Sequence, residues 1–368
     1  MWNNLLFIGF FGSCTKEQVQ IEDSKFLDTS LPEIDLAPYT EFGSFHIGHK
    51  QIEHTYVPLE GRPERTITID IWYPTTDIEG AIGSYLYGID EDVFENATIA
   101  DSIHVEGYPI HLHSHGYQGW GATSSFLMRY FASHGWIAIA PNHTNNLLAD
   151  HVDPLPTEHF IHRSLDLKYS LDVLADDDLF LSKNLQMNNV LMSGHSFGAS
   201  YSTWGISGAS YDQIEQSCET GDGLEEGSCS NQELSIFTSG MLSDDRIQAA
   251  LPLAGTIRKT FFGETGYKNV QVPILFMSGT EDNHQSAQEH YDEISDINFS
   301  WLSLEGACHQ SFALGQCPTL DVPTGFDIVQ TYALAFARKH ILHIENEDIE
   351  NLLHGTQQPW IEATIQKK

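Results

Sequence analysis

The chain has 368 residues, 41% of them hydrophobic, enough for the core of one large α/β domain or two smaller ones. Its 51 acidic and 17 basic side chains leave a net charge of −34. That field repels phosphate backbones and anionic membrane surfaces, which excludes nucleic acid as a partner; its spread along the chain marks a heavily hydrated surface.

The first fourteen residues, "MWNNLLFIGFFGSC", carry an apolar run from Leu5 to Phe11, the small residues Gly12 and Ser13, then Cys14. This order resembles a bacterial lipoprotein export signal, with Cys14 as the lipid-bearing N-terminus after cleavage. The run is too short to span a bilayer and lacks a basic flank; a frayed hydrophobic terminus is the alternative, and the export signal is favoured. Residues 15–44 are polar and irregular and read as a linker. The expectation is an exported protein of the cell envelope or periplasm, monomeric, with one domain over 45–345 and a tail at 346–368.

Within that domain, "HIGHKQIEHTYVP" and "RTITIDIWYP" alternate as paired strands around the Gly61-Arg62-Pro63 turn. A strand over Pro109–Ser114, a helix near Ser124–Ser133, the strand "GWIAIAPNH" and a helix over Arg163–Leu174 follow. "NNVLMSGHSFGASYS" then runs from an apolar strand into a helix, and "IQAALPLAG", "VPILFMSGTED" and "FSWLSLEGACH" supply further strands. Trp136–Ala140, Val190–Ser193 and Pro273–Ser278 are short and almost wholly apolar, as parallel strands covered on both faces must be. A last amphipathic helix runs near Phe326–His340. This alternation predicts a mostly parallel, doubly wound sheet.

Residues 209–245 break the rhythm with an acidic, Gly/Ser-rich insertion, read either as a lid over a site or as a surface excursion. Apart from Cys14 the cysteines are Cys218, Cys229, Cys308 and Cys317, which allow three pairings of two disulfides. The local links Cys218–Cys229 and Cys308–Cys317 are favoured, because cross-pairing must join two distant loops.

The serine of Gly194-His195-Ser196-Phe197-Gly198 stands at a strand-to-helix turn. Glycine on either side lets the backbone bend sharply and lifts the hydroxyl clear of the sheet. The five-residue pattern alone is weak in a chain with 29 glycines; its place after a buried strand carries the reading. A serine nucleophile needs a base and an orienting acid, which in this architecture follow it in the order acid, histidine. Asp282, just past one apolar strand, and His309, just past the next, would reach the same sheet edge as Ser196; Glu281 is the rival acid. Oxyanion donors are expected from the backbone N–H groups of Phe197 and Tyr117, the latter in "HSHGYQGW".

The pieces "TIDIWYP", "HLHSHGYQGW", "FASHGWIAIAPNH", "VLMSGHSFGAS", "IQAALPLAG", "VPILFMSGTED" and "LEGACHQSF" resemble the α/β-hydrolases. Within that fold they are similar to predicted dienelactone hydrolases, platelet-activating-factor-acetylhydrolase-like enzymes and cutinase-like polyester hydrolases. The resemblance covers roughly residues 45–340. It implies hydrolysis of a small-molecule or lipid ester, or of a polyester, through an acyl-enzyme, with Ser196, Asp282 and His309 as the triad. The cutinase-like enzymes usually carry a tryptophan where this chain has Ala254 and Gly255, and the dienelactone hydrolases a cysteine where it has Ser196.

No cofactor is expected, since no Gly-x-Gly-x-x-Gly turn follows a strand. Metal is not expected at His111, His113 and His115, because a strand between neighbours leaves no tetrahedral opening. Arg163 and Asp166 read as a local pair on one helix.

Overall fold

A computed structural model describes residues 41–283 and 286–368. The export signal with Cys14, and the linker up to residue 40, lie outside the described residues.

Strands β1 (His46–Tyr56) and β2 (Arg65–Thr75) pair antiparallel from His46↔Thr75 to Tyr56↔Arg65, as their alternation predicts. The chain continues through β3 (Ala81–Tyr85), β4 (Gly88–Glu95), β5 (Tyr108–Ser114), helix α1 (Ser125–Ser133), β6 (Ile137–Asn142) and helix α2 (Glu158–Asp176). After β7 (Leu185–His195), a π-helical turn over Gly198–Thr203 leads into α3 (Trp204–Ile206). Then come α4 (Ile214–Thr220), α5 (Asn231–Thr238), β8 (Ile247–Leu253), α6 (Lys259–Phe262), β9 (Ile274–Gly279), α7 (Ala287–Glu293), β10 (Phe299–Leu304), α8 (Val322–His340), α9 (Glu347–Leu353) and β11 (Ala363–Lys367).

All these strands form one sheet in the order β11-β10-β9-β8-β7-β5-β6-β2-β1-β4-β3. The central run from β6 to β10 is parallel. Strands β5, β6 and β9 are buried at every residue, which explains their unbroken apolar reading. One face of the sheet packs on α1, α8 and α9 through Phe131, Tyr332, Phe336 and Leu352. The other packs on α2 and the 209–245 region through Ile161, Leu171, Trp204 and Phe237. Because parallel strands end together, the loops after β5, β7, β9 and β10 meet at one edge.

Three regions differ from expectation. The β3–β4 hairpin was not foreseen: its exposed face is acidic, and of β4 only Val93 is fully buried. It is fastened by buried His49, whose Nδ1 lies 2.9 Å from Glu95 and whose Nε2 lies 3.1 Å from Asp70. Residues 346–368, expected as a tail, instead fold onto the domain. The Asn346 side chain caps α9, and β11 pairs antiparallel with β10 from Ser300↔Lys367 to Leu304↔Ala363. An edge strand of five residues with one fully buried side chain has too little apolar pattern to announce itself. The acidic insertion is built rather than structureless. A capping box at Ser230 starts α5, and Cys218–Cys229 closes the stretch between α4 and α5. Glu225 and Glu226 accept the backbone N–H groups of Leu155 and Thr157, docking the insertion against the start of α2.

Candidate active site

Ser196 has φ +54°, a left-handed conformation that costs a residue with a β-carbon about 1–3 kcal/mol. Both flanking glycines are dictated by close approach. A β-carbon on Gly194 would fall 2.5 Å from Thr203 Oγ1, and one on Gly198 2.1 Å from the Ser114 carbonyl oxygen. The strained turn is braced where the Ser196 N–H donates to the Leu253 carbonyl at 2.9 Å and the Ser196 carbonyl accepts from the Ser200 N–H at 2.8 Å.

Asp282 lies past β9 with its carboxylate fully buried, and His309 lies past β10 with its imidazole largely buried. His309 Nδ1 and Asp282 Oδ2 are 2.8 Å apart. The neighbouring Glu281 is exposed, so the structure brings Asp282, not Glu281, to the histidine. His309 is also joined to the elbow: His195 Nε2 donates to its carbonyl oxygen at 3.1 Å, and the two rings lie 4.8 Å apart. Burial, with the nearby His309 ring adding to it, pulls His195 down to about 3, so it stays neutral and fit for that bond. The disulfide Cys308–Cys317 begins at the residue before His309.

The loop after β5 closes on the serine. A β-carbon on Gly116 would lie 3.4 Å from Ser196 Cβ, and the half-exposed Tyr117 ring sits 6.0 Å from that of Phe197. Phe197 opens the helix after the elbow, so its N–H has no acceptor within that helix. Phe160 and Tyr201 extend this aromatic wall, with centroids 5.2 and 4.6 Å from Phe197.

Beneath the wall is a buried polar layer that sequence reasoning missed. Arg163 and Asp166, expected as a pair, take different partners. Asp166 accepts two bonds from Arg65, at 2.8 Å each, one from Tyr56 at 2.5 Å and one from His143 at 2.8 Å. Arg65 and His143 hold its carboxyl well below the usual range, against the upward push of burial. Arg163 instead reaches the loop after β5. The available signal was helix α2 itself, which buries His159, His162, Arg163 and Asp166 on its inner side, too many polar groups for an ordinary apolar face. His111 and His113 converge on Ser193 Oγ at 2.6 and 2.8 Å, which accounts for two of the three strand histidines. Among the described residues no three His, Cys, Asp or Glu side chains form a group able to hold a metal ion.

No family model and no curated protein matches this sequence. The architecture is another matter. A ferulic acid esterase from Streptomyces cinnamoneus superposes with a TM-score of 0.60 at 18% identity, over 90% of this chain and 98% of that one. The protein has the α/β-hydrolase fold, with the antiparallel β1–β2 start, the parallel centre and the sharp turn at Ser196 after β7.

Proposed function

We propose that the protein is a serine-dependent carboxylic ester hydrolase. The observation that carries this is the His309–Asp282 pair, 2.8 Å long, which His195 ties by a bond to the His309 carbonyl to the turn holding Ser196 at φ +54°. In this reading Ser196 Oγ attacks the ester carbonyl while His309 takes its proton, and Asp282 holds the imidazole tautomer and stabilises the charged ring. The carbonyl oxygen becomes an oxyanion that accepts from the N–H groups of Tyr117 and Phe197. Collapse expels the alcohol, protonated by His309; water then attacks the acyl-enzyme by the same route in reverse.

The substrate is a small ester carrying an aromatic or short acyl group, because Tyr117, Phe160 and Tyr201 gather around Phe197, the residue that follows the serine. The similar solved protein is described as a ferulic acid esterase, which favours the same choice. A tryptophan clamp for polymer rings has no room after β8, since a β-carbon on Gly255 would lie 2.4 Å from the Ser196 carbonyl oxygen. Two disulfides fit an oxidising compartment, and with the N-terminal signal they support export and an anchor at Cys14. No helix among the described residues is long and apolar enough to cross a membrane.

The test is hydrolysis of p-nitrophenyl esters of increasing chain length and of methyl ferulate, with labelling by a fluorophosphonate. Ser196→Ala should lose at least about 10³-fold in turnover and all labelling, with its melting temperature unchanged. An unlabelled wild type without esterase activity would mean a binding protein on a hydrolase scaffold.

A further inference from the structure

Arg163 is 1% exposed, and among the described residues no carboxylate forms an ion pair with it, Asp166 being held by Arg65. A buried cation is costly unless its donors are well used. Asp166 supports this one electrostatically, Nε donates to His159 Nε2 on α2 at 3.5 Å, and three of the other four bonds go to the end of β5 and the loop after it. Nη1 donates to the His115 carbonyl and, at 3.3 Å, to Ser114 Oγ. Nη2 donates to the Gly116 carbonyl at 3.1 Å and to Asn146 Oδ1 at 2.6 Å. The plane of the guanidinium also lies under the Phe197 ring, 4.5 Å from its centroid.

The geometry of the peptide unit turns this clamp into a statement about the active site. The Gly116 carbonyl belongs to the same planar trans peptide as the Tyr117 N–H, so fixing the oxygen fixes the hydrogen on the opposite side. The same oxygen also accepts from His115 Nδ1 at 2.7 Å and from the Gly119 N–H at 3.1 Å. These bonds pull it inward and leave the Tyr117 N–H facing away from the buried layer. One side chain thus braces the loop that carries Tyr117 and supports the ring of Phe197.

We propose that Arg163 is the positioning residue of the oxyanion hole: its fork holds the His115 and Gly116 carbonyls and underlies Phe197, so that the N–H groups of Tyr117 and Phe197 stay aimed at one point. Its charge adds a fixed positive potential beneath the site where negative charge develops. The inference rests on the esterase reading given above.

The test compares Arg163→Lys and Arg163→Met with wild type, using p-nitrophenyl butyrate turnover, fluorophosphonate titration of active sites and the affinity of phenylboronic acid, which forms a tetrahedral serine adduct. Lysine keeps the charge but, as a point cation, cannot bridge both carbonyls as the fork does. Both variants should lose about 10²-fold in kcat per titrated site, with KM within threefold, and boronate affinity should fall in parallel with kcat. A merely structural role would reduce the number of titrated sites and leave kcat per site and boronate affinity unchanged; that result overturns the proposal. Should Arg163→Met fail to fold, Arg163→Lys decides, and Asn146→Ala, which removes one brace of the guanidinium, should show a smaller loss of the same kind. A wild type with no esterase activity refutes the esterase reading itself, whereas an active wild type with unaffected variants refutes only the role of Arg163.

Discussion

His309 Nδ1 meets Asp282 Oδ2 at 2.8 Å although the residues are 27 positions apart and follow different strands. The parallel register of β9 and β10, which ends on Gly279↔Leu304, delivers both loops to one sheet edge. A β-carbon on Gly279 would sit 2.1 Å from the Ala307 carbonyl, so the two loops are in contact at their roots. Replacing Asp282 with Asn keeps the shape but presents an amide that can hold the wrong imidazole tautomer. Turnover of a p-nitrophenyl ester should fall by about 10³-fold or more, with the melting temperature within a few degrees of wild type. A kcat near the wild-type value would reassign the acid.

The elbow should tolerate no β-carbon at Gly198. Its ideal position lies 2.1 Å from a backbone oxygen of β5, and neither that fully buried strand nor the packed turn opening at Gly198 can yield. Gly198→Ala is expected to destabilise the protein by about 2 kcal/mol or more and to abolish activity, read by urea unfolding and ester turnover.

The two disulfides should separate function from stability. Cys308–Cys317 closes a stretch that begins beside His309, and Cys218–Cys229 closes one within the insertion. Their sequence separations of 9 and 11 residues limit each to roughly 3 kcal/mol of stabilisation. Cys317→Ser should lower turnover more than melting temperature, because it frees the backbone that presents His309, the proposed base. Cys229→Ser should lower melting temperature and leave kcat nearly intact; the reverse pattern would place the insertion, not the base loop, in control of the site.

Mild acid should unfold the protein. Burial holds His111, His134, His143, His195 and His290 down at about 3 and His162 at about 4, with His113, His115 and His159 also well below the ordinary value. Unfolded, each binds a proton near pH 6.5, whereas folded it does not. The unfolded state therefore holds more protons below that pH, and stability falls as pH drops. One unit below 6.5 each group costs about 1.4 kcal/mol, so even half of them offset much of a typical stability of 5–15 kcal/mol. Circular dichroism should show cooperative loss of structure between about pH 5 and 6; a melting temperature equal at pH 7 and pH 5 would contradict it.

What the sequence by itself determined is whatever is local. Strand alternation marked β1 and β2, unbroken apolar runs marked the buried parallel strands, and Gly194-His195-Ser196-Phe197-Gly198 marked the elbow, because each is written within a dozen neighbouring residues. Asp282 and His309 were legible as residues just past buried strands, although their meeting depends on which strands are adjacent. Only the tertiary structure decided the rest. The β3–β4 hairpin and β11 are edge strands whose few buried side chains matter only against their neighbours. Arg163 seemed a helix-surface partner for Asp166 one turn away, yet Arg65, from a strand 101 positions distant, took that carboxylate and left Arg163 for the loop beside Ser196. A charged side chain chooses its partner by where burial removes water, and burial is a property of the assembled fold rather than of spacing along the chain.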